Sequence, residues 1–146
     1  MTNPCPICRK HAGELAQPPG GYIHLDPHWR VCHAPLDAGP TGMLLVEAQR
    51  HFLDYAEMTP DEATSYGELL KRLYLCLKLL TGAERIYQLV LLDGAPHFHT
   101  WLIPRLPGEE LKGMQLLNAD RSTNEDEVNR LADGLRQVLA EEPHDF

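Results

Sequence analysis

The stretch from Thr59 to Gly82 limits what this chain can fold into more than any other, because both ends of a long helix are written into it. Thr59 can N-cap, Pro60 suits the first helical position, and Glu62 completes a capping box. Ala63, Tyr66, Leu69, Leu70, Leu73, Leu77 and Leu80 then recur at helical spacing, and Gly82 can end the helix. The stripe reads as core.

Strand candidates stand on either side. Tyr22-Ile23-His24-Leu25 and Trp29-Arg30-Val31-Cys32-His33 flank a turn at Asp26-Pro27, and Gly42 to Glu47 is apolar enough to be central. Ile86 to Leu92 and residues 97–103 read as a hairpin around Asp93-Gly94. Residues 107–121 are ambiguous, a loop with a turn of helix around Glu109 to Met114. A last helix begins near Thr123, with Val128, Leu131, Leu135, Val138 and Leu139 on one face. Hairpins with one long helix between them and one at the end predict an α+β fold.

At 146 residues the chain reads as one domain able to bury a core without disulfides. Its net charge of −8 offers no basic stripe, which argues against nucleic acid as the main partner. No apolar run reaches membrane-spanning length, and Met1 to Cys5 lacks the features of a signal peptide, so the expected location is cytoplasmic with no membrane partner. Neither common Gly-rich phosphate loop is present.

The chemistry concentrates in two places. If residues 97–103 form a strand, His97, His99 and Trp101 line one face and Phe98, Thr100 and Leu102 the other. Two imidazoles about 6.6–6.8 Å apart cannot bond each other but can do separate jobs on one surface. Alone, H-x-H is also what two half-exposed polar positions look like. Pro104 is expected to close the strand.

The second place is Cys5-Pro6-Ile7-Cys8, where one tight turn can fill two corners of a tetrahedron. The other two ligands could come from His11, His24, His28, Cys32, His33, His51 or His97, and the two thiols could also be incidental. Cys32 and Cys76 read as buried free cysteines. His24, His28, His33 and His144 fit surface or local hydrogen-bonding roles otherwise.

Pro96-His97-Phe98-His99-Thr100-Trp101-Leu102-Ile103-Pro104-Arg105 resembles the signature of the histidine-triad (HIT-like) proteins, His-x-His-x-His followed by apolar residues and often Pro-Arg. The resemblance runs over residues 5–105. It includes C-x-x-C near the start, a histidine after the third strand in Glu47-Ala48-Gln49-Arg50-His51, and Met58-Thr59-Pro60 opening the long helix. Residues 106–146 form an extension carrying the last helix.

The resemblance implies an antiparallel sheet of about five strands with one long central helix, and a homodimer. It implies a structural zinc on Cys5, Cys8, His51 and His97, and His99 as the nucleophile. His97, Trp101 and Arg105 become the expected substrate contacts. The implied reaction is hydrolysis or transfer at the α-phosphate of dinucleoside polyphosphates or nucleoside phosphoramidates, through a nucleotidyl-histidine intermediate.

Two departures accompany it. Trp101 stands where the third histidine would be, and indole can donate one hydrogen bond but cannot titrate. Leu92-Asp93-Gly94-Ala95-Pro96 lacks the polar residues that usually touch sugar and phosphates in that family. These departures suit an alternative, a catalytically weak nucleotide-binding or sensing protein. A zinc-stabilised interaction domain without a nucleotide site is the third reading.

Overall fold

A computed structural model describes residues 3–141, so His144 lies outside the described residues. Five strands, β1 (Tyr22–Leu25), β2 (Trp29–His33), β3 (Leu44–Ala48), β4 (Arg85–Leu89) and β5 (His99–Arg105), form one antiparallel sheet in the order β1-β2-β3-β5-β4. Among the described residues four α-helices accompany it, α1 (Pro6–His11), α2 (Pro60–Thr81), α3 (Met114–Leu117) and α4 (Glu125–Leu139), with one 3-10 turn at Tyr55–Glu57. The fold is α+β, as expected. Among the described residues no helix is long and apolar enough to cross a membrane.

The ends of α2 follow the local chemistry. Thr59 Oγ1 accepts from the Glu62 N–H at 3.1 Å, Glu62 Oε1 accepts from the Thr59 N–H at 2.8 Å, and Gly82 stops the helix with φ 73°. The buried stripe of Tyr66, Leu69, Leu70, Leu73 and Leu77 packs on the sheet face made by Trp29, Val31, Leu44, Val46 and Leu102. Helix α4 joins the same core through Ala132, Leu135 and Leu139. Each large apolar side chain buried here contributes about 1.5–3 kcal/mol. Leu80, expected in the stripe, is half exposed against Gly134 of α4.

With α2 and α4 covering that face, alternation along the strands turns Arg30, Cys32, Leu45, Glu47, His99 and Trp101 to the other. Helix α1 lies over part of it, because Lys10 and His11 reach down to Glu47.

Three sequence expectations shift. Strand β5 covers 99–105 instead of 97–103, and β4 ends at Leu89, so residues 90–98 make a long connection in place of a tight turn. Pro104 sits inside β5 and does not end it. The Ala48 N–H donates to the Phe98 carbonyl, so even-numbered β5 residues aim their backbone polar groups at β3. Pro104 lies beyond the first residue of β3, where no ladder donor is needed. Finally, the short helix after β5 is Met114–Leu117, later than expected. Glu109 is held instead in a two-pronged ion pair with Arg121, at 2.7 and 3.1 Å, which keeps its segment a loop.

Candidate functional site

The two chemical clusters meet at one end of the sheet. Cys5 N-caps α1, and its Sγ accepts from the Cys8 N–H at 3.4 Å, which turns both sulfurs the same way. His51 follows β3 and His97 precedes β5, neighbouring strands of the sheet. His97 Nδ1 lies 3.5 Å from both sulfurs and 3.1 Å from His51 Nδ1, which is itself 3.4 Å from Cys8 Sγ. All four donor atoms fall within 4.8 Å of one another.

These separations fit a metal. A tetrahedral ion with bonds of 2.3 Å to sulfur and 2.0–2.1 Å to nitrogen would set S···N edges of about 3.6 Å and an N···N edge of about 3.3 Å. The tautomer fits as well. His97 Nε2 donates to the Ala48 carbonyl at 2.7 Å, which leaves a lone pair on Nδ1 facing the sulfurs. Burial holds the His97 imidazole below its usual pKa and therefore neutral. Burial, with the hydrogen bond and charge of Cys5, pushes the Cys8 thiol up, which a cation among these donors would offset.

Of the other candidate ligands, His28 lies outside the four-residue cluster, and His11, His24, His33 and Cys32 are engaged or buried elsewhere. His11 Nε2 donates to Glu47 Oε1 at 3.1 Å, and His24 pairs with Asp26 at 2.8 Å. His33 is buried, not on the surface: its Nδ1 donates to the Ala34 carbonyl and its Nε2 accepts from the Gly42 N–H. Cys32 and Cys76 are buried, and desolvation raises the Cys32 thiol to about 12.

His99, two residues after His97, opens β5 and is itself buried. Its Nδ1 donates to the His97 carbonyl at 2.7 Å, the tautomer that in a neutral imidazole puts the lone pair on Nε2, and among the described residues nothing hydrogen-bonds Nε2. Trp101 stands beside it on the same face, ring centroids 6.1 Å apart and edge to face at 72°. A rigid imidazole with one nitrogen fixed and the other open is what nitrogen nucleophilic attack requires.

Two of the expected substrate contacts are placed differently from Trp101. The His97 ring is fully buried, with Nδ1 toward the cysteine sulfurs and Nε2 on the Ala48 carbonyl. Arg105 is at the far end of β5, about 20 Å from His99 along the strand, where it meets Glu84 at 3.2 Å. A cleft of about 560 Å³ between α2 and α4, lined by Leu80, Leu106, Arg130 and Leu131, is also remote from His99.

One group near His99 escaped the sequence reading. Glu47 is the cross-strand partner of His99, only 2% exposed, and its two oxygens accept from His11 and from Lys10 Nζ at 2.9 Å. Burial opposes its charge, but the His11 hydrogen bond and Lys10 outweigh that and hold the carboxyl below its usual range. An acid ending an apolar strand, Leu44-Leu45-Val46-Glu47, is the signal that could have found it.

Comparison of the sequence with known families and with curated proteins finds no match. Solved structures do match. A zinc-bound histidine triad family protein from Mycobacterium smegmatis superposes with a TM-score of 0.72 at 19% identity, covering 95% of this chain and 98% of that one. A hypothetical histidine triad nucleotide-binding protein from Sulfolobus tokodaii gives 0.70 at 19%, covering 92% and 91%. A Hit-like protein involved in cell-cycle regulation from Bartonella henselae gives 0.70 at 13%, covering 94% and 97%. The chain has the fold of the histidine-triad proteins.

Proposed function

We propose that this chain is a nucleotide hydrolase or nucleotidyltransferase in which His99 is the nucleophile, stabilised by a structural zinc on Cys5, Cys8, His51 and His97. The observation that carries the reading is the His99 Nδ1–H donated to the His97 carbonyl, which in the neutral ring puts the lone pair on Nε2, a nitrogen that no described residue hydrogen-bonds. Nε2 attacks the α-phosphorus, the leaving group departs, and the nucleotidyl-histidine is a cationic imidazolium that keeps its Nδ1 proton. Water, or a second acceptor, then breaks the P–N bond and returns neutral imidazole.

Glu47 supports this chemistry. Its carboxylate lies across from His99 and can favour the positive imidazolium, while Lys10 neutralises it toward an incoming phosphate. Two thiolates and two imidazoles at these separations suit zinc best among common metals. Zinc here would anchor the end of β5, and with it the His97 carbonyl that orients His99. Free thiols at Cys5 and Cys8 suit a reducing cytoplasm. A homodimer is the expected assembly, and β4 offers an open sheet edge with Val90 and Leu91 exposed just beyond it.

A second reading, a nucleotide-binding protein with little turnover, draws on Trp101 in the place of a titrating residue. Incubation with diadenosine triphosphate separates the two. The hydrolase reading expects AMP from wild type, none from His99→Ala, and unchanged zinc content in the variant. A rise in melting temperature with nucleotide but no AMP selects the binding reading.

A further inference from the structure

The residues around His99 also bear on which substrates it can cleave, given the nucleophile reading above. On the same face of β5 as His99 the next side chain is Trp101, and its cross-strand partners are Leu45 on β3 and Leu89 on β4. The indole Nε1–H makes no hydrogen bond among the described residues, and the side chain is half exposed beside the imidazole. Neither of those two cross-strand partners titrates. On the other flank, Glu47, Lys10 and His11 are locked together: Lys10 Nζ also donates to Cys32 Sγ at 3.2 Å, and both carboxylate oxygens are occupied. Along β5, therefore, the side chain next to His99 can donate a hydrogen bond but cannot give up a proton.

We infer that Trp101 makes this a site for phosphoanhydrides, nucleoside and dinucleoside polyphosphates, and against phosphoramidates. When Nε2 forms its bond to the α-phosphorus, the bond to the leaving group breaks and the electron pair goes with that group. A phosphate or nucleoside polyphosphate, with a relevant pKa near about 6, carries the pair away as a stable anion and needs no proton. An alkylamine, whose conjugate acid has a pKa near about 10, leaves only as the neutral amine and must take up a proton as the P–N bond breaks. Indole can donate a hydrogen bond to charge developing on an oxygen but has no proton to give. Positioned proton transfer typically contributes about 10²–10⁴-fold, so its lack falls on the amine substrate alone.

The test compares AMP release from diadenosine triphosphate and from an adenosine 5′-N-alkylphosphoramidate by wild type, Trp101→His and Trp101→Phe, with zinc content and melting temperature recorded for each. Wild type should favour the anhydride by at least about 10²-fold in kcat/KM. Trp101→His should raise the amidate rate and shrink that ratio by at least about tenfold, whereas Trp101→Phe should keep the ratio. If Trp101→His does not fold, wild-type rates on adenosine 5′-aryl phosphates decide, and they should fall steeply as the phenol becomes less acidic. Equal wild-type rates on anhydride and amidate, a flat aryl series, or an unchanged ratio in a folded Trp101→His would overturn the inference. No AMP from any substrate would instead sink the His99 nucleophile, and this inference with it.

Discussion

Truncating His51 to alanine isolates what a metal contributes to this fold. The side chain is exposed, so its removal opens no cavity, and its polar contacts are with the Cys8 sulfur and the His97 ring. Without metal the substitution should change stability by no more than about 0.5 kcal/mol, as for other surface positions. With metal the arithmetic differs. Helix α1 has six residues and is too short to persist alone, and the four-ligand site clips it to the ends of β3 and β5. At free zinc about a thousandfold above Kd, binding adds about 4 kcal/mol to the folded state. For a chain of this size that is a melting temperature about 8–16 °C higher. The assay is thermal unfolding of wild type and His51→Ala with excess zinc and with a chelator. The gap should open with zinc and close with the chelator. A gap that survives chelation, or none with zinc, would refute the account of this cluster.

Other perturbations probe the scaffold. Thr59→Ala removes the hydroxyl of the α2 capping box and should cost about 1 kcal/mol, read as a lower urea midpoint with an unchanged m-value; no change would mean the cap contributes nothing. His33 offers a pH test. Burial holds its folded pKa below the ordinary 6.5, so the unfolded chain binds the extra proton first. Its contribution is therefore present above pH 6.5 and lost as pH falls through the lower folded value. Between pH 6.5 and that lower value, wild-type stability should drop more steeply than that of His33→Gln, and parallel profiles would contradict the assignment.

The local signals in this chain proved the legible ones. Trp29 to His33 became β2 with its bounds unchanged, and Thr59, Glu62 and Gly82 took the cap roles their chemistry dictates. Asp26 closes the β1–β2 turn by accepting from the His28 and Trp29 N–H groups. What depends on distant partners was harder to read. Seven side chains could have completed the Cys5–Cys8 pair, and only the adjacency of β3 and β5 brings His51 and His97 to it. That same demand explains the late start of β5: His97 has its ring nitrogens on the Ala48 carbonyl and the sulfurs, outside the ladder that its alternation suggested. Glu47 was read only as a strand residue because its partners come from α1, more than thirty positions away. Arg105 looked near His99 in sequence, but a strand rises too fast for residues six apart to share a small site.

The central claim is that His99 Nε2 becomes covalently bonded to a nucleotide. Intact mass of protein quenched rapidly at neutral or basic pH, after mixing with diadenosine triphosphate, tests it in wild type and His99→Ala, with free AMP measured in the same samples. The account predicts a wild-type adduct of one nucleoside monophosphate, or AMP alone where the second step is fast, and neither in His99→Ala. An adduct on both proteins, AMP from both, or neither product from wild type would contradict it.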